Sequence, residues 1–186
     1  MTYEEKIEKL FNRFPSYQKV GSRAYKPGLE SMLAFDSLLG HPWQKFRTIH
    51  IAGTNGKGSV SSFLAAALSG CGRRIGLYTS PHLVDFRERI KIVSEKGFEM
   101  IPREAVEAFL DKYEGFMESE GPSFFEITTA MAFDFFAAAG ELGVPEEYLG
   151  LKLELLKKKG WSVPDSPVLS EGGVLSRVPI SCYNTP

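Results

Sequence analysis

Phe46-Arg47-Thr48-Ile49-His50-Ile51-Ala52-Gly53-Thr54-Asn55-Gly56-Lys57-Gly58-Ser59 is the stretch that decides the fold. Its first half, Phe46 to Ala52, carries β-branched residues in a short apolar run and reads as a buried strand. Its second half is a Gly-rich turn, and Gly58 to Ser69 continues as a helix of small residues. Arg74 to Tyr78 reads as another strand. Strand, helix, strand is the unit of a parallel sheet with a right-handed crossover, so the expected class is α/β. Glycines at 53, 56 and 58 let backbone amides approach a phosphate closely, and the helix N-terminus adds the positive end of a dipole. Lys57 is long enough to reach outer phosphates, and a nearby hydroxyl can touch magnesium. The string departs from the common P-loop, with Ile51 where the first glycine belongs and Gly58 where Ser or Thr follows the lysine. The rival reading is a Gly-rich strand-to-helix turn with an exposed lysine.

Outward from this centre, Glu4 to Phe14 and Leu29 to Leu39 have helical apolar spacing, and Lys19 to Pro27 between them reads as a loop. Ile90 to Ile101 alternates around Ser94-Glu95-Lys96-Gly97, predicting a hairpin with a longer turn. Arg103 to Met117 is amphipathic. Phe124 to Ala139 is apolar nearly all round, so that helix needs cover on more than one side. Ser123 and Glu126 form a capping-box pattern, which makes capping the default role of Glu126.

Composition narrows the function classes. The 186 residues are 43% hydrophobic and 24% charged, which suits a packed core rather than disorder. A net charge of −1 gives no basic field for nucleic acid or an anionic membrane. No apolar stretch approaches the roughly 20 residues of a membrane span, and the charged N-terminus is unlike a signal peptide. Cys71 and Cys182 make no metal pattern, so a reduced, cytoplasmic setting is expected.

Four strings, in order along the chain, resemble the folylpolyglutamate synthase/dihydrofolate synthase branch of the Mur ligase superfamily. They are Tyr25 to Glu30, His50 to Ser59, Gly76 to Ile90 and Pro122 to Phe133. The resemblance runs to about Ala139 and implies a P-loop Mur-ligase-like central domain with a parallel sheet. It implies an ATP-dependent ligase that joins L-glutamate to a dihydropteroate or tetrahydrofolate carboxylate through an acyl phosphate. By the same resemblance, Gly53, Thr54, Asn55, Gly56, Lys57, Gly58 and Ser59 bind ATP, and Lys57 is the catalytic residue. Ser80 resembles the family's magnesium-binding serine, and Pro81, His82, Phe86 and Arg89 lie in a loop near the pterin substrate. Each has a plainer reading: Ser59 as a first-turn serine, Ser80 as turn chemistry before Pro81, His82 as a surface histidine, Arg87 to Arg89 as a solvated charged strand start. His82 is assigned no catalytic role. The family implies a cytoplasmic monomer.

Beyond Ala139 the resemblance stops. The family's glutamate-bearing strand, a second magnesium ligand, a lysine that becomes carbamylated and a C-terminal domain have no counterpart in 140–186. The expected organisation is an incomplete ATP-binding domain over 1–139 and a divergent tail over 140–186, with a helix at about Pro145 to Lys159. A frameshift, a deletion or a truncated gene would each produce this. Two functions follow: the ligase, inactive as this chain, or a non-catalytic remnant that binds nucleotide or pterin. Without the next strand, the Phe124 to Phe136 helix is expected to keep an exposed apolar face and lower solubility.

Overall fold

The computed structural model describes residues 1–14 and 28–140. The expected loop at Lys19 to Pro27, the first part of the Tyr25 to Glu30 string and the helix at about Pro145 to Lys159 lie outside the described residues. Five α-helices and three strands follow in order: α1 (Tyr3–Arg13), α2 (Glu30–Leu38), α3 (Lys57–Ser69), β1 (Ile75–Tyr78), β2 (Ile90–Ser94), β3 (Gly97–Met100), α4 (Arg103–Glu120) and α5 (Phe124–Ala138). Short 3-10 turns at Pro42–Lys45 and Phe86–Arg89 join them.

Local chemistry accounts for the starts of α1 and α5. Thr2 and Glu5 cap α1 reciprocally: Thr2 Oγ1 accepts from the Glu5 amide at 3.2 Å, and Glu5 Oε2 accepts from the Thr2 amide at 2.7 Å. Ser123 and Glu126 do the same for α5, at 3.2 and 2.7 Å, so Glu126 has the capping role read from the sequence. α1 and α4 lie side by side. Glu4 pairs with Arg103, Lys6 with Asp111, Lys9 with Glu114 and Arg13 with Glu118, a succession that makes the two helices parallel. These exposed pairs add little energy each; Leu10, Phe14, Leu110 and Met117 beneath them are buried and supply the adhesion.

The sheet corrects the expectation of a parallel unit. Its order is β1-β2-β3, and both pairings are antiparallel, with Ile75 opposite Val93, Tyr78 opposite Ile90, and Ser94 opposite Gly97. The hairpin turn is the two residues Glu95-Lys96, shorter than expected. Phe46 to Ala52 forms no strand, although Ile49 still packs against α3 and β1. The apolar pattern therefore marked a partly buried contact, whereas a strand also needs a neighbour to complete its ladder.

β1 has helices on both faces. Ile75 and Leu77 pack against Ala65 and Leu68 of α3. On the other face, a Cβ at Gly76 would lie 2.9 Å from the Phe136 ring of α5, so glycine permits that approach. α5 is correspondingly well covered: Phe124, Ile127, Ala130, Met131, Ala132 and Phe136 are buried. The expected exposed face of this helix is thus largely absent. On α5 Phe125 is still exposed, but the most accessible large apolar side chains lie elsewhere: Leu83 and Val84 after β1, at 89% and 91%, and Phe63 of α3, at 78%.

Candidate functional site

The Gly53 to Ser59 segment is a turn that opens directly into α3. Gly53 and Gly56 have φ of +154° and +76°, conformations that side chains resist, and Gly56 is the N-cap residue. No side chain caps α3, so its first-turn amides face outward without a side-chain acceptor. Lys57 is the first helical residue, and its ammonium curls back onto the turn, donating to the carbonyls of Gly53 (2.7 Å) and Thr54 (3.2 Å). Cation and open amides thus share one short, exposed segment.

A second group of predicted residues gathers after β1. α3 and β1 run in opposite directions across a short turn at 70–74, so the residues preceding α3 and those following β1 lie at the same end of this unit. There the Ser80–Pro81 peptide is cis, Pro81 is exposed and His82 is half-buried. Arg89 lies beneath them, only 2% accessible. Its Nη1 donates to Ser80 Oγ at 2.7 Å and its Nε donates to His82 Nδ1 at 2.7 Å, while its guanidinium sits 5.0 Å from the centre of the Phe124 ring. Phe86 is also buried and edges against the His82 ring. Of the four residues expected in a substrate loop, Pro81 and His82 are therefore accessible, whereas Phe86 and Arg89 form the floor under them.

The rest of the loop is tied down by Glu88. Its carboxylate accepts from the amides of Leu83, Val84 and Asp85 at 2.9, 3.0 and 2.8 Å, and these bonds hold its pKa below the usual carboxylate range. Hydrogen bonds from Arg87 do the same for Asp85. Burial, then the Arg89 charge, lowers the pKa of His82 and favours neutral imidazole. Burial lowers Arg89 as well.

Sequence reading missed the partners around this floor. The Tyr78 hydroxyl shares a 2.7 Å hydrogen bond with Thr128 of α5 and also meets Arg89, and burial raises its pKa. Phe11 of α1 packs edge-on to His82 and stacks on Phe124. Tyr78 ending a strand and Thr128 inside an apolar helix were the available signals, but neither names its partner. Among the described residues, no three His, Cys, Asp or Glu side chains come together as a metal cluster. Ser80 Oγ retains one lone pair beyond the Arg89 bond, which suits it to be a neutral ligand for magnesium already held by phosphate oxygens.

Comparison with known proteins identifies the relatives. A dihydrofolate synthase/folylpolyglutamate synthase of Bacillus subtilis is 40% identical over 119 residues, covering 60% of this chain and 26% of that protein. The chain is a homologue of the folylpolyglutamate synthases. A folylpolyglutamate synthase structure from Thermotoga maritima superposes with a TM-score of 0.63 at 38% identity, covering 76% of this chain and 32% of the other. The Mycobacterium tuberculosis folylpolyglutamate synthase complexed with ADP superposes at 0.62 with 32% identity, over 76% of this chain and 31% of that one. The folylpolyglutamate synthase likeness and the mixed helix–strand arrangement fit an α/β Mur-ligase-like fold. The chain spans between 16% and 34% of the length of the curated relatives it matches. No protein-family model matches it.

Proposed function

We propose that residues 53–59 bind the phosphates of ATP and that Ser80 and the 81–89 loop meet the magnesium and pterin ends of a folate–glutamate ligase site. The observation that carries this reading is the Gly53 to Ser59 turn: two glycines at positive φ, an uncapped helix start and the Lys57 ammonium converge on one exposed spot. A phosphate placed there accepts from the helix amides and replaces the two carbonyls as partner of Lys57. The Mycobacterium relative complexed with ADP supports nucleotide binding in this family.

The proposed reaction forms an amide between L-glutamate and a dihydropteroate or tetrahydrofolate carboxylate. That carboxylate attacks the γ-phosphate of ATP, giving an acyl phosphate and ADP. The glutamate amine then attacks the acyl carbon, phosphate leaves, and the amine proton passes to solvent. Magnesium, where bound, supplies neutralisation of phosphate charge. Lys57 and the α3 amides hold and orient the phosphates; Pro81 and His82 form the accessible edge of the pterin side, and Phe86 walls it from below. These residues by themselves are proposed to bind nucleotide without turnover, because the match covers about a quarter of such a ligase; the proposed setting is a cytoplasmic monomer, as the family resemblance implies. No helix among the described residues is long and apolar enough to cross a membrane.

Calorimetric titration of the chain with ATP, with and without magnesium, tests the nucleotide assignment. Saturable binding that strengthens with magnesium is the expected result. No heat of binding under either condition would remove the basis of the proposal.

A further inference from the structure

Arg89 has the chemistry of a residue that works through its neighbours. It is 2% accessible, so its guanidinium does not reach a ligand above the loop. Yet two of its bonds run to the two side chains that border that surface. A guanidinium only donates, so the nitrogen it meets on His82 must accept. The bond from Arg89 Nε to His82 Nδ1 at 2.7 Å therefore leaves the ring proton of neutral His82 on Nε2. The bond from Nη1 to Ser80 Oγ, also 2.7 Å, takes one lone pair of the hydroxyl and turns its proton away from the guanidinium. Both bonds come from one rigid planar group, and that group is itself seated on the Phe124 ring at 5.0 Å and against Tyr78. The side chains at 80 and 82 are thus set relative to one another by a single buried fork anchored to α5 and β1.

We infer that Arg89 is the positioning residue of the Ser80–His82 edge, holding the Ser80 oxygen in place and fixing His82 as the Nε2–H tautomer. This edge then offers a ligand one oxygen lone pair at Ser80 and one N–H donor at His82, a combination suited to magnesium-bound phosphate or another acceptor oxygen. The inference deepens the proposed site and rests on it for the ligand, but not for the tautomer.

Nuclear magnetic resonance of the full chain labelled with 15N in its histidines reads the tautomer directly, with or without ligand. The chain has three histidines, His41, His50 and His82, and His82→Gln assigns the relevant signal by its loss. The Nε2–H pattern is expected for His82 at neutral pH; an Nδ1–H pattern, or averaging between tautomers, would overturn the inference without any variant of Arg89. A second arm measures how much magnesium strengthens ATP binding. Arg89→Met is expected to reduce that gain roughly tenfold, as loss of a charge-assisted hydrogen bond does, and to release the tautomer preference. A folded Arg89→Met protein with an intact tautomer and full magnesium gain would count against Arg89. Ser80→Ala separates the two ideas: if it leaves the magnesium gain intact, the metal assignment of Ser80 fails, and the wild-type tautomer alone decides the role of Arg89.

Discussion

At the scale of single residues, Lys57 and His82 give the sharpest expectations. Lys57 has two carbonyl partners, which an alanine would leave facing water, so Lys57→Ala should not disturb folding. A charge-assisted phosphate contact contributes about 1.5–3 kcal/mol, so the variant should bind ATP roughly 10- to 100-fold more weakly in calorimetric titration. Equal affinities would place the phosphate elsewhere. His82 yields a pH prediction whose sign follows from its lowered pKa. As pH falls through the ordinary imidazole range, about 6.5, the unfolded chain takes up a proton that folded His82 resists. Stability should therefore drop between pH 7 and pH 5.5, and urea midpoints should show a smaller drop in His82→Gln. The lowered carboxylates of Asp85 and Glu88 lose their stabilising effect only at more acid pH, outside that window. Residue identities at both places were legible in the sequence, because Gly-Lys-Gly and Ser-Pro-His carry their own chemistry. The burial of Arg89 was not, since charge within Arg87-Glu88-Arg89 suggests solvent unless the Phe124 and Tyr78 partners are known.

At the scale of elements, local pattern found the described α-helices and the hairpin, because most bury a face, and α1 and α5 also carry their own capping boxes. It failed on pairing. The run from Phe46 to Ala52 has strand-like composition, but composition does not say whether another strand lies alongside it. The antiparallel alignment of β1 with β2 was likewise hidden, since Gly76 to Ile90 reads as one motif, whereas the loop and 3-10 turn between Tyr78 and Ile90 fold it back on itself. Gly76 shows what such packing demands. A methyl group there meets the Phe136 ring at 2.9 Å while β1 is held from the other side by α3, so neither layer can shift freely. Gly76→Ala is expected to cost about 1–3 kcal/mol, the usual penalty of overpacking. Thermal or urea unfolding checks this, and an unchanged midpoint would show that α5 moves off β1 easily.

For the whole molecule, the question is what a chain of this extent can do alone. The matched stretch is between 16% and 34% of the curated relatives' length, and the proposed site would account for ATP phosphates, one neutral magnesium ligand and one side of a pterin pocket. A ligase of this kind must align three reactants and stabilise the charge of a transferring phosphoryl group. Removing one positioned charge contact typically lowers a rate a hundredfold to a thousandfold, about 2.7–4 kcal/mol. Glutamate has no binding residues assigned among those described, and the amine that must attack the acyl phosphate would arrive unoriented, forfeiting the large advantage of proximity. The isolated 186-residue chain is therefore expected to bind ATP yet to form no product from dihydropteroate or tetrahydrofolate with ATP, magnesium and glutamate. α5 is mostly covered, so association, if it occurs, should be mapped to the exposed apolar side chains Leu83 and Val84 after β1 and Phe63 of α3. Product formation by the purified chain, dependent on all three additions and abolished by Lys57→Ala, would show that these residues supply glutamate binding and phosphoryl stabilisation on their own.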